Sequence, residues 1–383
     1  MTALLGCSLI SLPNVRQQEP TPTLPPTPTP IVIVVTATPL PPEMIEAVDV
    51  EEQRVIAVYQ RASPAVVNIT TQVLRHSFFF GLIPEEGSGS GFVYDRDGHI
   101  ITNYHVVAST NEIMVSFGRD KELPAEIVGV DPLNDLAVLR VAELPEGVEP
   151  IPLGDSDALQ VGQRAIAIGN PFGQFERTLT VGVVSAVNRT VKTDEDQVLR
   201  GVIQTDAAIN RGNSGGPLLD SSGRLIGVNS ALFSPTGTSA GVGLAIPVNK
   251  LKQIVPELIQ NGRYPHPWLG IEGLGYDLYP ELARALGLPV DRGLLIAQLY
   301  RNSPAVRAGL RGATEEVIYR RRRLLVGGDI LTAIDGVPLH NWDDLDAYLQ
   351  EQTEVGQTVT LTIWRDDQEM TIEVKLGEMP EGL

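Results

Sequence analysis

The chain has 383 residues, 43% of them hydrophobic and 5% aromatic, so it can bury sizeable cores and global disorder is excluded. At roughly 150 residues per domain, this length implies two to three domains. Lys and Arg number 29 against 47 Asp and Glu, a net charge of −18 that argues against a nucleic-acid partner, and the single cysteine, Cys7, excludes an intrachain disulfide and a Cys-rich zinc site.

Residues 1–18 form an apolar N-terminal segment without the basic start of an export signal. Leu4-Leu5-Gly6-Cys7 resembles the lipobox of bacterial lipoproteins, in which cleavage leaves a lipid-modified cysteine at the new N-terminus. Cys7 is therefore the expected lipid attachment. The stretch before it is too short for a working signal, so an upstream start codon is the expectation. Residues 19–54 read as a tether, dominated by Pro and Thr up to Pro42, where polyproline II is favoured and no core can form. The apolar run from Ile31 to Val35 is too short to span a membrane, so membrane attachment is expected through the N-terminal anchor alone. An anchor followed by a spacer implies an extracytoplasmic protein associated with the cell envelope.

Residues 55–262 read as one β-rich unit. Short apolar runs at 65–73, 91–94, 99–102, 113–117, 125–130 and 136–141 form one set. A second set lies at 164–168, 179–187, 202–205, 217–219, 224–230 and 241–246. No helical crossovers intervene, so six plus six strands predict two antiparallel barrels and not a parallel sheet. A helix is expected over 250–260 from the spacing of Leu251, Ile254, Val255, Leu258 and Ile259, stopped by Gly262. Pro256 inside that run predicts a kink or a break.

Three motifs carry chemistry. In Gly212-Asn213-Ser214-Gly215-Gly216-Pro217, glycines allow a tight turn that exposes a serine hydroxyl and aims backbone N–H groups at one point. A serine is a poor nucleophile without a base, and alone such a turn is most often an ordinary loop. Thr102-Asn103-Tyr104-His105-Val106-Val107 puts one of only five histidines at a strand end. Asp131-Pro132-Leu133-Asn134-Asp135-Leu136 puts Asp135 at the head of a strongly apolar strand, where a buried carboxylate can accept the imidazole N–H. Asp131 fits a turn cap better.

The order His105, Asp135, Ser214, split between the two expected barrels, is that of the chymotrypsin-type triad. With Ile168-Gly169-Asn170-Pro171-Phe172-Gly173 and the run Val202–Asn210, these blocks resemble the HtrA (Deg) family of trypsin-like serine proteases with a C-terminal PDZ domain. The resemblance implies Ser214 as nucleophile, His105 as general base, Asp135 as orienting carboxylate, and the N–H groups of Gly212 and Ser214 as oxyanion hole. It implies no metal and no cofactor. It assigns the site-remodelling loops to 188–200, 207–213 and 230–239, and suggests a homotrimer, with Tyr59 and Phe175 as contact candidates. At least one of Phe78, Phe79 and Phe80 is expected to meet substrate or a neighbouring subunit. The specificity pocket would be walled by Ala208, Ile209 and Ser230, with no carboxylate to receive Lys or Arg, which favours small aliphatic side chains.

Residues 263–383 complete the resemblance as a PDZ domain. Trp268-Leu269-Gly270-Ile271 resembles its carboxylate-binding loop, and Leu345 and Leu349, spaced i, i+4, mark the expected groove helix over 341–351. C-terminal peptides are the expected ligands. Residues 315–325 look like an added strand–turn–strand, whose four arginines are most simply a solvated turn and less simply a site for an acidic partner. The whole reads as a serine endopeptidase for unfolded or misassembled proteins. The alternative is a chaperone-like or sensory peptide-binding scaffold with incidental proteolysis.

Overall fold

The computed structural model describes residues 42–77, 81–108, 110, 112–118, 121–171, 177–192, 198–210, 212–230, 241–272 and 276–380, with side chains left aside at 42–49 and 73–86. Cys7, the Pro/Thr tether up to 41, Phe78-Phe79-Phe80, Phe175 and the loop 231–239 lie outside the described residues. The chain divides into Met1–Asp49 and Val50–Leu383. The first is described only where α1 (Pro42–Ala62) begins. A tether reaching residue 54 is thus corrected: from Pro42 onward the backbone is helical. Pro is well suited to a first helical position, and the Glu, Ala, Gln and Arg residues that follow outweigh the composition upstream. Within the larger unit, the end of α1 buries Val58 and Ala62 in the core.

The first barrel contains β1 (Val66–Ser77), β2 (Gly81–Val93), β3 (His99–Thr102), β4 (Glu112–Ser116), β5 (Glu122–Asp131) and β6 (Leu136–Val141), closed in the order β1-β2-β3-β6-β5-β4. The one-turn helix α2 (Tyr104–Val107) follows β3. The second barrel contains β7 (Arg164–Gly169), β8 (Thr178–Lys192), β9 (Val198–Thr205), β10 (Pro217–Leu219), β11 (Leu225–Ser230) and β12 (Gly243–Pro247), closed in the order β10-β11-β12-β9-β8-β7. The two-barrel expectation holds.

β1 and β2 are longer than expected and pair antiparallel from Val66–Phe92 to Ser77–Gly81. The Gly-Ser alternation at 87–91 lies within β2. A Cβ at Gly89 would sit 2.6 Å from Val106 Cγ1, and one at Gly91 2.8 Å from Ile69 Cδ1. These glycines mark close packing, not a reversal.

Helix α3 (Val248–Asn261) packs Leu251, Ile254, Val255 and Leu258 into a core shared by both barrels. It runs unbroken through Pro256, against expectation. Pro256 is solvent-exposed, so the backbone carbonyl it leaves without an intrahelical donor can face water while the buried stripe holds the helix. Gly262 ends it at φ +77°, its N–H donating to Leu258 O at 3.0 Å.

The C-terminal part has β13 (Pro267–Trp268), β14 (Tyr276–Leu278), α4 (Pro280–Leu286), β15 (Gly293–Leu295), α5 (Pro304–Arg307), β16 (Glu315–Tyr319), β17 (Arg322–Val326), β18 (Ile330–Ile334), β19 (Val337–Pro338), α6 (Trp342–Gln352), β20 (Thr358–Arg365), β21 (Gln368–Lys375) and β22 (Gly377–Glu378). Its main sheet runs β14-β15-β18-β20-β21, with β19 paired to β18. Leu269, Leu294, Leu331, Leu345, Leu349 and Leu361 share its core. Asn341 caps α6, accepting the Asp344 N–H at 2.8 Å.

Polar ties join this domain to the barrels. Arg200 of β9, buried, reaches Asp346 at 3.0 Å and Asp343 at 3.5 Å on α6. Half-buried His266 places Nε2 2.8 Å from Oδ1 of buried Asp131 at the end of β5. Lys250 sits between these ties, and its withdrawal from water, aided by the Arg200 charge, pulls its ammonium below a lysine's usual range against the opposing pull of Asp131, Glu351 and Asp346. Among the described residues, no helix is long and apolar enough to cross a membrane.

Candidate active site

Asp135 sits where the β5–β6 turn enters β6, in the left-handed region at φ +54°, which Asp tolerates better than most residues. Its carboxylate is 1% exposed and therefore needs donors. His105 Nδ1 lies 2.9 Å from both carboxylate oxygens, and the His105 backbone N–H donates to Oδ1 at 3.0 Å. Ser230, at the end of β11 in the other barrel, donates its hydroxyl to Oδ2 at 3.2 Å. Asn103 Nδ2 secures the turn through Asp135 O at 3.0 Å. With Nδ1–H given to the carboxylate, the imidazole presents Nε2 as an acceptor. The His105 side chain stays 29% exposed, open enough to meet a substrate.

The Ser214 loop is built on glycines. Gly212 stands at φ +99° and Gly215 at φ +81°. A Cβ on Gly215 would lie 2.2 Å from Ser90 O and 2.3 Å from Thr102 Oγ1, so only glycine lets the loop approach the first barrel this closely. Ser90, fully buried in β2, ties the loop down. Its N–H donates to Ser214 O at 2.8 Å and its hydroxyl to Gly212 O at 2.5 Å, while accepting from Asn170 N at 2.7 Å. Gly215 N donates to Asn229 O, and Asn229 N to Gly216 O, both at 2.9 Å, which ties the far side of the loop to β11.

His105, Asp135 and the loop of Ser214 thus meet where the two barrels face each other, a geometry suited to acyl transfer. The model of the trypsin-like peptidase domain matches residues 89–228, and that of the PDZ domain matches 274–376. Protease Do-like 1, chloroplastic, of Arabidopsis thaliana is 41% identical over 338 residues, covering 87% of this chain and 74% of that protein. The chain belongs to the HtrA (Deg) family. The periplasmic serine endoprotease DegP of Escherichia coli K12 is 37% identical over 295 residues, 77% of this chain and 58% of DegP. The chain thus spans little more than half the length of that relative. The solved HtrA-type protease AlgW with decapeptide superposes with a TM-score of 0.68 at 33% identity, covering 85% of this chain and 99% of that one. This chain is a serine endopeptidase of the HtrA type.

Other expected positions behave differently. Ser230 turns its hydroxyl to Asp135. Ile209 is buried in the second barrel's core, and a Cβ on Gly243 would lie 2.5 Å from its Cγ1. Ala208 O accepts from Thr180 Oγ1 at 2.9 Å. Leu345 and Leu349, only 3% and 8% exposed, pack with Leu269 in the domain's own core. Trp268 stacks obliquely on Tyr300 with ring centres 5.5 Å apart, and Gly270 turns the loop at φ +79°. Tyr59 donates its hydroxyl to Arg177 O at 3.0 Å within the chain. His266 bonds Asp131, which is buried instead of merely capping a turn. Among the described residues, no group of three or more His, Cys, Asp or Glu side chains is arranged to hold a metal ion.

Ser90 was not singled out in the sequence. The close-packed glycines around it carried the only signal, since they show that β2 passes directly under the Ser214 loop. Replacing Ser90 by Ala leaves Gly212 O and Asn170 N without their hydroxyl partner. The expected result is a fall in kcat of about 10- to 100-fold with KM nearly unchanged, because the loop that surrounds the reacting carbonyl loosens while substrate contacts stay. Steady-state kinetics on a folded variant read this directly; equal kcat would show that the hydroxyl has no positioning role.

Proposed function

We propose that the chain cuts unfolded or misassembled proteins outside the cytoplasm, with Ser214 as nucleophile, His105 as general base and Asp135 as the carboxylate that orients it. The pairing of His105 Nδ1 with both Asp135 oxygens at 2.9 Å carries this reading. It fixes the imidazole tautomer, so that Nε2 takes the Ser214 proton as Oγ attacks the scissile carbonyl and later returns it to the leaving amine. The N–H groups of Gly212 and Ser214 then stabilise the tetrahedral oxyanion. Water deacylates the enzyme by the same proton path. The extracytoplasmic setting is supported by relatives named as periplasmic in Escherichia coli and chloroplastic in Arabidopsis thaliana. Ser214→Ala is expected to reduce turnover of a denatured protein by on the order of 10⁶-fold while leaving the fold intact.

The same digest tests specificity. The segment expected to wall the pocket, Ala207-Ala208-Ile209-Asn210, carries no carboxylate to receive Lys or Arg, so bonds after Val, Ala and similar residues are favoured. One methylene contributes only about 1–3 kcal/mol of discrimination, so a bias is expected and not an absolute rule. Products read by mass spectrometry should cluster after small aliphatic residues. A map dominated by Lys, Arg or Phe overturns this pocket.

The C-terminal domain is proposed to grip peptides with a free apolar C-terminus at residues 268–271. Around that loop Gly270 O accepts from Tyr300 N at 3.0 Å and Leu269 O from Ala305 N at 2.9 Å, which turns the carbonyls inward and leaves the N–H side for a carboxylate. Calorimetry on the full chain with Ser214→Ala should show much weaker binding of an amidated peptide than of its free acid. Equal affinities refute carboxylate capture.

A further inference from the structure

The β16–β17 hairpin stands apart from the catalytic and peptide-gripping chemistry. Its strands pair Glu315 with Val326, Glu316 with Leu325, Val317 with Leu324, Ile318 with Arg323 and Tyr319 with Arg322. Cross-strand partners share a face, so the two faces differ in character. One face anchors the hairpin: Val317, Tyr319, Leu324 and Val326 pack with Leu278, Leu282, Leu295 and Ile330. The other face is free to solvent and carries Ile318, which at 78% is the most exposed large hydrophobic side chain among the described residues.

The tip beside Ile318 is basic. Arg320 and Arg321 form the two-residue turn at φ +46° and +67°, both left-handed. Such a turn is ordinarily made from Asn and Gly, so arginine is held there against backbone preference. Arg320 lies 5.2 Å over the Tyr319 ring, and Arg323 meets Glu316 at 3.3 Å with both side chains well exposed. Arg321 and Arg322 are exposed and form no ion pair among the described residues. A chain of net charge −18 thus concentrates four consecutive arginines and the most exposed large aliphatic side chain among the described residues on one hairpin.

We propose that this hairpin tip docks onto an anionic lipid surface. Guanidinium groups match phosphate headgroups, and an isoleucine among them has a use only where an apolar layer lies just beneath the charge. A nucleic acid supplies the anions without that layer and would be repelled by the acidic remainder of the chain. Attraction to the lipid falls off within about 10 Å at 0.1 M salt, so the contact is local to the basic tip. Docking by this projection would fix the orientation of the peptide-gripping domain at a membrane.

The test uses the full chain with Cys7→Ser, so that no acyl chain contributes. Co-sedimentation is measured with vesicles of phosphatidylcholine containing about one third phosphatidylglycerol, and with phosphatidylcholine alone. Replacing Arg320, Arg321 and Arg322 together by Ser is expected to weaken partition to the anionic vesicles on the order of 100-fold, and Ile318→Ser several-fold. Both effects should vanish on phosphatidylcholine alone, and high salt should weaken the parent's binding. Cleavage of a soluble denatured protein should be equal in all variants, since the tip lies outside the catalytic cleft. Equal partition of parent and triple variant overturns the proposal. So does an unchanged Ile318→Ser variant whose parent binds a single-stranded oligonucleotide as tightly as the anionic vesicles. A parallel loss of soluble cleavage also overturns it, because the hairpin would then serve the peptidase itself.

Discussion

A buried carboxylate at the junction of two barrels sets the terms for everything around it. Asp135 is almost wholly withdrawn from water, so its charge is tolerable only if donors surround it. Charge-assisted hydrogen bonds contribute about 1.5–3 kcal/mol each, and Asp135 collects them from the imidazole and backbone of His105 and from Ser230. The first two lie in one barrel and the third in the other. The carboxylate is therefore satisfied only when both barrels are folded and docked, which couples the catalytic geometry to the global fold.

The loop of Ser214 obeys the same rule in reverse. It belongs to the second barrel but is tied through Ser90 to the first, with two of its carbonyls held by one residue. Asp131, in the same turn as Asp135, accepts from Asn134 and pairs with His266 at the start of the C-terminal domain. The turn that holds Asp135 thus touches the junction between domains. Arg200 adds a second, charged tie to α6. The proposed triad, barrel docking and domain docking share a small set of polar groups.

How much of this was legible in the sequence depended on whether the signal was local. Short apolar runs without helical crossovers gave both barrels, because brief strands buried along most of their length leave continuous apolar runs. The three motifs were readable because their residue types are forced by chemistry at short range. What the sequence hid is long-range. Ser90 bonds a loop more than a hundred residues away, and Ser230, placed in the pocket by position in the chain, faces the other barrel's carboxylate. The spacing of Leu345 and Leu349 marked a helix face correctly, but not that Leu269 fills it. Pro256 predicted a break by local rule, and tertiary packing of Leu251, Ile254, Val255 and Leu258 overrode it. Composition carried the tether into residues that are helical, since a Pro/Thr bias upstream says nothing about where helix formers take over.

The central claim is that Asp135, through His105, activates Ser214. The most direct measurement is covalent labelling by a fluorophosphonate, with the labelled residue mapped by mass spectrometry and the rate compared across variants. The account predicts a single label on Ser214, none in His105→Ala, and a rate lowered on the order of 10³- to 10⁴-fold in Asp135→Asn, which favours the wrong tautomer. Labelling at another serine, or an undiminished rate in Asp135→Asn, would contradict it.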